Sequence, residues 1–226
     1  EKAINALYIF SKYFSRKGGT TGVNTVVSQS NIGDVINMVK FVTEIGFYSS
    51  LIPVHLSSQN DNFILRNETD EMRFEEKFFP EIDNVYTELI KMKKSGYHIY
   101  NTYRFLKESP DFIKYNKIHW QCDSPDLYFF ISPSGKFLPC IDLDTSISLL
   151  EDNFLENYKK LHRNEIKDFT KKCSGCMYSC YRETSYFCRK PSVFLERFWQ
   201  GLRIGRFERK EIPSLSDLLK IVDKYN

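Results

Sequence analysis

WQCDSPDLYFFISPSGKFLPCIDLD, residues 120–144, reads as two strand-forming runs around a turn. Asp126 to Ser132 is rich in aromatic and branched side chains that favour strands, and Lys136 to Cys140 resumes the same character. Between them, Pro133-Ser134-Gly135 carries turn chemistry, the proline presetting one dihedral and the glycine accepting a positive φ. A hairpin here brings Cys122 and Cys140 to one open end, though not directly opposite, because the turn lies nearer Cys140.

Outward from this hairpin, the six cysteines fall at 122, 140, 173, 176, 180 and 188, so the first 121 residues of the 226-residue chain hold none. That segregation predicts two regions. Disulfide frameworks belong chiefly to short secreted chains, and the opening EKAINALYIF has no secretory pattern. In KKCSGCMYSCYRE (171–183), thiolates two residues apart can face one metal ion or one cluster corner, with Gly175 allowing a tight turn. Zinc and an iron–sulfur cluster both accept four thiolates, and spacing alone leaves both open. Cys188, beside Tyr186-Phe187, is as readily a small buried hydrophobe as a ligand.

The cysteine-free half alternates strand-like and helix-like segments, the pattern of parallel α/β architecture. Thr20 to Ser28 reads as a strand, with Ser30-Asn31 offering caps to a helix carrying Val35, Ile36, Val39, Val42 and Ile45 and ending at Gly46. Phe47 to His55 reads as a second strand. Ser57 to Phe78 is a polar connection, Pro80 to Lys94 a helix with Val85, Tyr86, Leu89 and Met92 on one face, and Tyr97 to Asn101 a short strand after Gly96. Such a sheet has edges that a longer protein would cover, and the chain begins with Glu rather than Met, so a part preceding Glu1 is expected.

Composition adds bounds. Hydrophobic residues make up 42% and aromatic ones 15% of the chain, enough for a sizeable core. Lys+Arg 32 against Asp+Glu 29 leaves +3 with the signs interspersed, which gives no argument for nucleic acid. No apolar run approaches the roughly 20 residues of a membrane-spanning helix, and a cytoplasmic location is expected.

The arrangement Cys122, a strand, Ser-Pro-Ser-Gly-Lys-Phe-Leu-Pro-Cys140, then a distant Cys173-Ser-Gly-Cys176 resembles the auxiliary-cluster domains, twitch and SPASM, of radical S-adenosylmethionine (SAM) enzymes. It is more similar to the twitch form, since two SPASM clusters need more cysteines than these. TGVNTVVSQSNIGDVINMVKFVTEIGF followed by SLIPVH resembles the later β–α units of the same family's barrel. The resemblance implies an α/β fold: residues 1–115 as the C-terminal half of a partial (β/α)6 TIM-like barrel, 116–190 as a small cysteine-rich α+β domain (β-hairpin plus helix), and 191–226 as C-terminal helices.

It further implies an oxidoreductase cofactor set: an auxiliary [4Fe-4S] cluster on Cys122, Cys140, Cys173 and Cys176, with Cys180 as the substitute ligand, and S-adenosyl-L-methionine. The C-x3-C-x2-C loop that binds a second, SAM-cleaving cluster in the family is absent here, so the resemblance implies that this loop lies in the missing N-terminal units and that this chain is inactive alone. The implied chemistry is hydrogen abstraction from a small molecule or peptide by a 5′-deoxyadenosyl radical, with a flavodoxin or ferredoxin as reductant. Asn24 and Ser28 would contact SAM and Ile52 to Val54 would line its adenine, where the plainer reading is a strand amide and a turn residue.

Other candidates follow from position. His55, Ser57, Ser58 and Tyr100 to Tyr103 fall at strand C-termini, where parallel barrels keep their chemistry. Asp142 and Asp144 follow Cys140 as carboxylates near the centre or as a solvated loop. Leu127 to Phe130, with the aromatics at 181–187, are a substrate wall or packing. His98, His119 and His162 have no partner at catalytic spacing. Arg189 to Arg209, with Arg197, Arg203 and Arg206 among apolar residues, reads as a helix over the cluster domain or a surface for an acidic partner, and Leu215 to Tyr225 as a final helix capped by Ser214. Two rival readings use the same cysteines, a non-catalytic electron-transfer protein and a zinc-stapled binding module.

Overall fold

The computed structural model describes residues 2–13, 21–56, 72–142, 145, 147–161, 166, 168, 173, 175–206 and 212–225. Ser57, Ser58, Asp144 and His162 lie outside these residues, as does the side chain of Arg206. Helix α1 (Lys2–Tyr13) precedes strand β1 (Gly22–Val27), helix α2 (Val35–Glu44), strand β2 (Tyr48–Pro53) and helix α3 (Phe79–Lys94). β1 and β2 are parallel, Gly22 opposite Tyr48 through Val27 opposite Pro53, and Ile99 adds a single parallel bridge to Ser49. The three segments thus lie in sequence order, each pair joined across a helix.

Two glycines stop the helices. Gly46 and Gly96 follow α2 and α3 with φ of 78° and 96°, a region where a Cβ would crowd the backbone. The apolar stripes expected of both helices are buried: Val35 and Val39 of α2 meet Ile82, Val85, Tyr86, Leu89 and Met92 of α3 over Val27 and Leu51. On β1 the alternation is plain, with Gly22, Asn24 and Val26 exposed and Val27 buried. No helix among the described residues is long and apolar enough to cross a membrane.

The third unit departs from strand–helix alternation. After Ile99 the chain enters helix α4 (Tyr103–Tyr115), a helix the sequence pattern does not single out. Thr102 caps it, its hydroxyl accepting from Phe105 N at 3.2 Å. Lys93 at the end of α3 stands 5.3 Å over the Tyr103 ring, while Lys114 at the far end of α4 pairs with Asp83 of α3 at 2.7 Å. These two contacts make α4 antiparallel to α3, so it runs with the strands rather than back against them.

The hairpin is shorter than its sequence suggests. Only β3 (Phe130–Ile131) and β4 (Phe137–Leu138) pair, Phe130 opposite Leu138, and residues 124–127 form a turn where strand was expected. The aromatic rings explain this: Tyr128 stacks on Tyr181 at 4.5 Å instead of extending the ladder, while Phe130, still paired, meets the same ring edge-on at 5.6 Å. Helix α5 (Phe154–Leu161) adds Phe154 and Tyr158 against Phe137 at 5.8 and 5.0 Å.

Arg189 to Arg209 is not one helix either. Helix α6 (Ser179–Arg189) ends at Lys190, and helix α7 (Pro191–Arg206) begins with proline at the first position, where its missing N–H needs no partner. Besides packing on α6, α7 caps the edge beyond Ile99: Arg197 Nη1 donates to Tyr100 O at 2.6 Å and Gln200 Nε2 to Ile99 O at 3.3 Å. Helix α8 (Leu215–Asp223), with Ser214 accepting from Asp217 N at 3.2 Å, packs Leu218 with Phe41, Val42, Ile45 and Phe47 and against Ile4 and Leu7 of α1. The last helix therefore closes the first half of the chain, not the cysteine region.

Candidate metal centre

The cysteine region is assembled by polar contacts on backbone groups. Ser124 Oγ donates to Pro139 O, tying the loop after Cys122 to the strand end before Cys140. Asp123 is held by Arg189 at the end of α6, with Arg189 Nε donating at 2.8 Å. Trp120 Nε1 donates to Cys176 O at 2.9 Å, which draws the later cysteine loop toward the same place.

Two stacked tyrosines stand between the sulfurs. The Tyr128 hydroxyl lies 3.3 Å from Cys122 Sγ and accepts from Asp123 N at 3.1 Å. The Tyr181 hydroxyl accepts from Ile141 N at 2.8 Å and also reaches the Cys140 sulfur. Backbone amides complete the set, with Asp142 N 3.5 Å from Cys140 Sγ and Gly175 N 3.3 Å from Cys173 Sγ. Each of these sulfurs thus has N–H or O–H donors aimed at it, the environment that stabilises a thiolate ligand.

Burial works the other way. Loss of solvent pushes the Cys140 thiol up to about 11, against hydrogen bonds from Asp142 and Tyr181, with the neighbouring Asp142 and Cys122 charges adding to the rise. Burial likewise raises Cys122, helped by Cys173 and Asp123, and partial burial raises Cys180. Cys122 is therefore within electrostatic reach of both Cys140 and Cys173. Cys176 is buried beside them in the chain, Cys180 sits exposed in the first turn of α6, and Cys188 is exposed near its end. No disulfide joins any of the six in this structure. Among the described residues, no three His, Cys, Asp or Glu side chains surround a point where a single ion would sit. The donor set, thiols with amide and phenol donors aimed at three of them, fits a thiolate-bound centre in kind.

His55 joins this region to the sheet. It lies two residues beyond β2, its Nε2 accepts from Met177 N at 2.7 Å, and its ring stacks on Tyr178 at 4.0 Å and tilts against Phe112 at 5.2 Å. Accepting at Nε2 requires the neutral ring with its proton on Nδ1, so in this fold His55 seats the cysteine loop. The loop is shaped for close approach: Gly175 has φ of 87°, and a Cβ there would come within 2.9 Å of Ile118 Cγ2.

The remaining candidates are placed as follows. Asn24 is exposed at the middle of β1 opposite Ser50. Ser28 is buried in the turn after β1, its amide donating to Asn31 Oδ1 at 2.9 Å and its hydroxyl 2.9 Å from that of Ser30. Asn31 spends its amide on this turn rather than on capping α2, which has no side-chain cap. Asn101 clasps the Leu51 backbone from both sides at 2.7 and 3.0 Å, and Tyr100 lies under Arg197 at 4.1 Å. Two histidines have partners after all: His119 Nε2 is 2.6 Å from Asp111, and His98 Nδ1 is 3.2 Å from Phe47 O. Ser124 and Trp120 carry contacts of the centre that the sequence reading does not single out, a hydroxyl or aromatic next to a cysteine being the one signal the sequence offers for them, while Tyr128 and Tyr181, read as a wall or as packing, meet the sulfurs through their hydroxyls. No protein-family model, curated protein or solved structure matches the chain.

Proposed function

We propose that this chain is the C-terminal part of a radical SAM enzyme, with Cys122, Cys140, Cys173 and Cys176 holding an auxiliary [4Fe-4S] cluster and Cys180 standing as the alternative fourth ligand. The observation that carries this reading is that Cys122 lies within electrostatic reach of Cys140 and Cys173, each of the three sulfurs under an aimed donor, while His55, just past the C-terminal end of β2, seats the loop that carries Cys173. In parallel β–α arrangements that end of the sheet is where substrates and cofactors meet the protein.

When bound, such a cluster supplies one-electron redox chemistry or an anchoring iron. The protein's own contribution is legible in its residues. Tyr128, Tyr181 and the amides of Asp142 and Gly175 would stabilise negative charge on the ligand sulfurs, and the aromatic wall of Tyr128, Phe130, Tyr178 and Tyr181 would limit water. On this reading Asn24, on the exposed face of β1, and Ser28 belong to the wall of a SAM cavity completed by upstream β–α units, and a flavodoxin or ferredoxin would be the electron donor.

The test is anaerobic reconstitution with iron and sulfide, reading visible absorption and iron and zinc content for wild type and Cys140→Ala. Brown protein with about four irons per chain, lost in the variant, is the expected result. Colourless protein that keeps one tightly held zinc per chain would overturn the reading in favour of a zinc-stapled module.

A further inference from the structure

A second site lies apart from the cysteines. A cavity of about 790 Å³ opens between the Gly96–Ile99 segment, the first half of α4 and the outer turns of α7, and no cysteine lines it. Its charge is one-sided: Lys93, Arg104, Lys107 and Arg203 face it against Glu108 and Glu196.

Both acids are already committed to the fold. Glu196 accepts from Tyr103 N at 3.1 Å and pairs with Lys93 at 3.2 Å. Glu108 takes Arg104 at 2.9 Å and the buried Arg182 on its other oxygen. Lys107 and Arg203 have no acidic partner among the described residues, and neither is needed to neutralise a protein carboxylate. Arg203 lines the cavity together with Tyr48 and Tyr103, and its charge lowers both phenols against the rise that burial causes. Concave walls of low dielectric focus such an excess of positive charge.

The walls are also flat. Tyr48 stacks on His98 at 4.8 Å with an interplanar angle of 14°, and Tyr103 and the exposed Trp199 face the same space. A planar ring can lie on such surfaces while its charged group meets a guanidinium, whose fork accommodates a carboxylate or phosphate through paired hydrogen bonds. We propose that this cavity binds a small aromatic anion, with Arg203 and Lys107 holding the carboxylate or phosphate and Trp199 the ring.

The test uses the full chain, titrated calorimetrically at low salt with phenyl phosphate and separately with benzoate, and with inorganic phosphate and phenol as single-function controls. One-site binding of either aromatic anion, at least tenfold tighter than both controls, is expected, and the preferred arm tells phosphate from carboxylate. Raising the salt should weaken it, because the contact is charged and partly open to solvent. Arg203→Ala and Lys107→Ala should each weaken binding several-fold and together abolish it, at an unchanged melting temperature because both side chains are exposed. Trp199→Leu should reduce affinity for the aromatic anions and leave that for inorganic phosphate unaltered. Absence of saturable binding, equal binding of inorganic phosphate or phenol, or full binding by the double variant would each overturn the proposal.

Discussion

Replacing Gly175 by alanine separates two physical effects that meet in the cysteine loop. The residue has φ of 87°, where an L side chain crowds its own carbonyl, and that backbone strain costs about 1–2 kcal/mol. The new methyl would also lie 2.9 Å from Ile118 Cγ2 and 3.0 Å from Cγ1, with Cδ1 nearer still, so all the branches of that half-buried side chain must shift. Crowding of this kind costs about 1–3 kcal/mol. Gly175→Ala alone is therefore expected to destabilise by about 2–5 kcal/mol. In an Ile118→Ala background the crowding disappears and only the backbone part, about 1–2 kcal/mol, remains. Urea unfolding of wild type, both single variants and the double variant gives the coupling energy directly, since the residues touch and their effects should not add. An equal cost of Gly175→Ala in both backgrounds would refute the contact with Ile118. A cost below about 0.5 kcal/mol in both would refute the strained loop altogether.

Arg182 is fully buried, donates to Tyr186 OH at 2.7 Å and pairs with one oxygen of Glu108, so Arg182→Met should destabilise by about 3–5 kcal/mol by removing the buried cation beside that oxygen and leaving the carboxylate to Arg104, and Arg182→Met with Glu108→Gln should recover part of the loss in the same unfolding assay. A neutral single variant would contradict a charged pair at this junction. Burial lowers the pKa of His98, partly countered by its hydrogen bond with Phe47 O. The folded state then binds fewer protons than the unfolded state, so stability should be fully present above the ordinary histidine range and fall as pH drops through it toward the lowered folded value. His98→Phe keeps the ring against Tyr48 and should flatten that acid-side slope; an unchanged slope between pH 7.5 and 5.5, measured by urea unfolding, would assign the slope elsewhere.

Local rules were legible in the sequence where local chemistry decides structure. The apolar stripes of α2 and α3, the glycines that stop them, the Pro-Ser-Gly turn and the Ser214 cap all appear as read. Helix α4 was hidden by Pro110, which falls inside it and removes one donor from its ladder. The first part of the strand expected from Asp126 was lost to packing: Tyr128 satisfies its apolar surface on Tyr181, a partner more than fifty residues away, instead of extending the ladder. Asn31 looked like a helix cap because its side chain suits that role, but the turn at Ser28 offered the same amide closer backbone groups.

The candidate centre divides along the same line. Spacing placed Cys122 and Cys140 at the two ends of one hairpin, and in the structure a contact between near neighbours, Ser124 Oγ to Pro139 O, ties the segments beside them. What seats Cys173 and Cys176 is the hydrogen bond from Met177 N to His55, which spans 122 residues, and no periodicity encodes such a contact. A chain of polar contacts then runs from there along α6 to the sheet edge. Arg182 joins Glu108, Glu183 accepts from Thr102 N at 2.8 Å and pairs with Arg197 at 3.1 Å, and Arg197 reaches Tyr100 O. Burial raises the Glu183 pKa, against the Arg197 charge and the Thr102 bonds. Separating α6 from the first half of the chain would break the Arg182–Glu108 pair and the Thr102 N–Glu183 hydrogen bond together. The cysteine loop and the parallel strands are thus fixed relative to one another by electrostatics at their junction, and a cut near residue 115 would be expected to unfold both sides rather than release two domains.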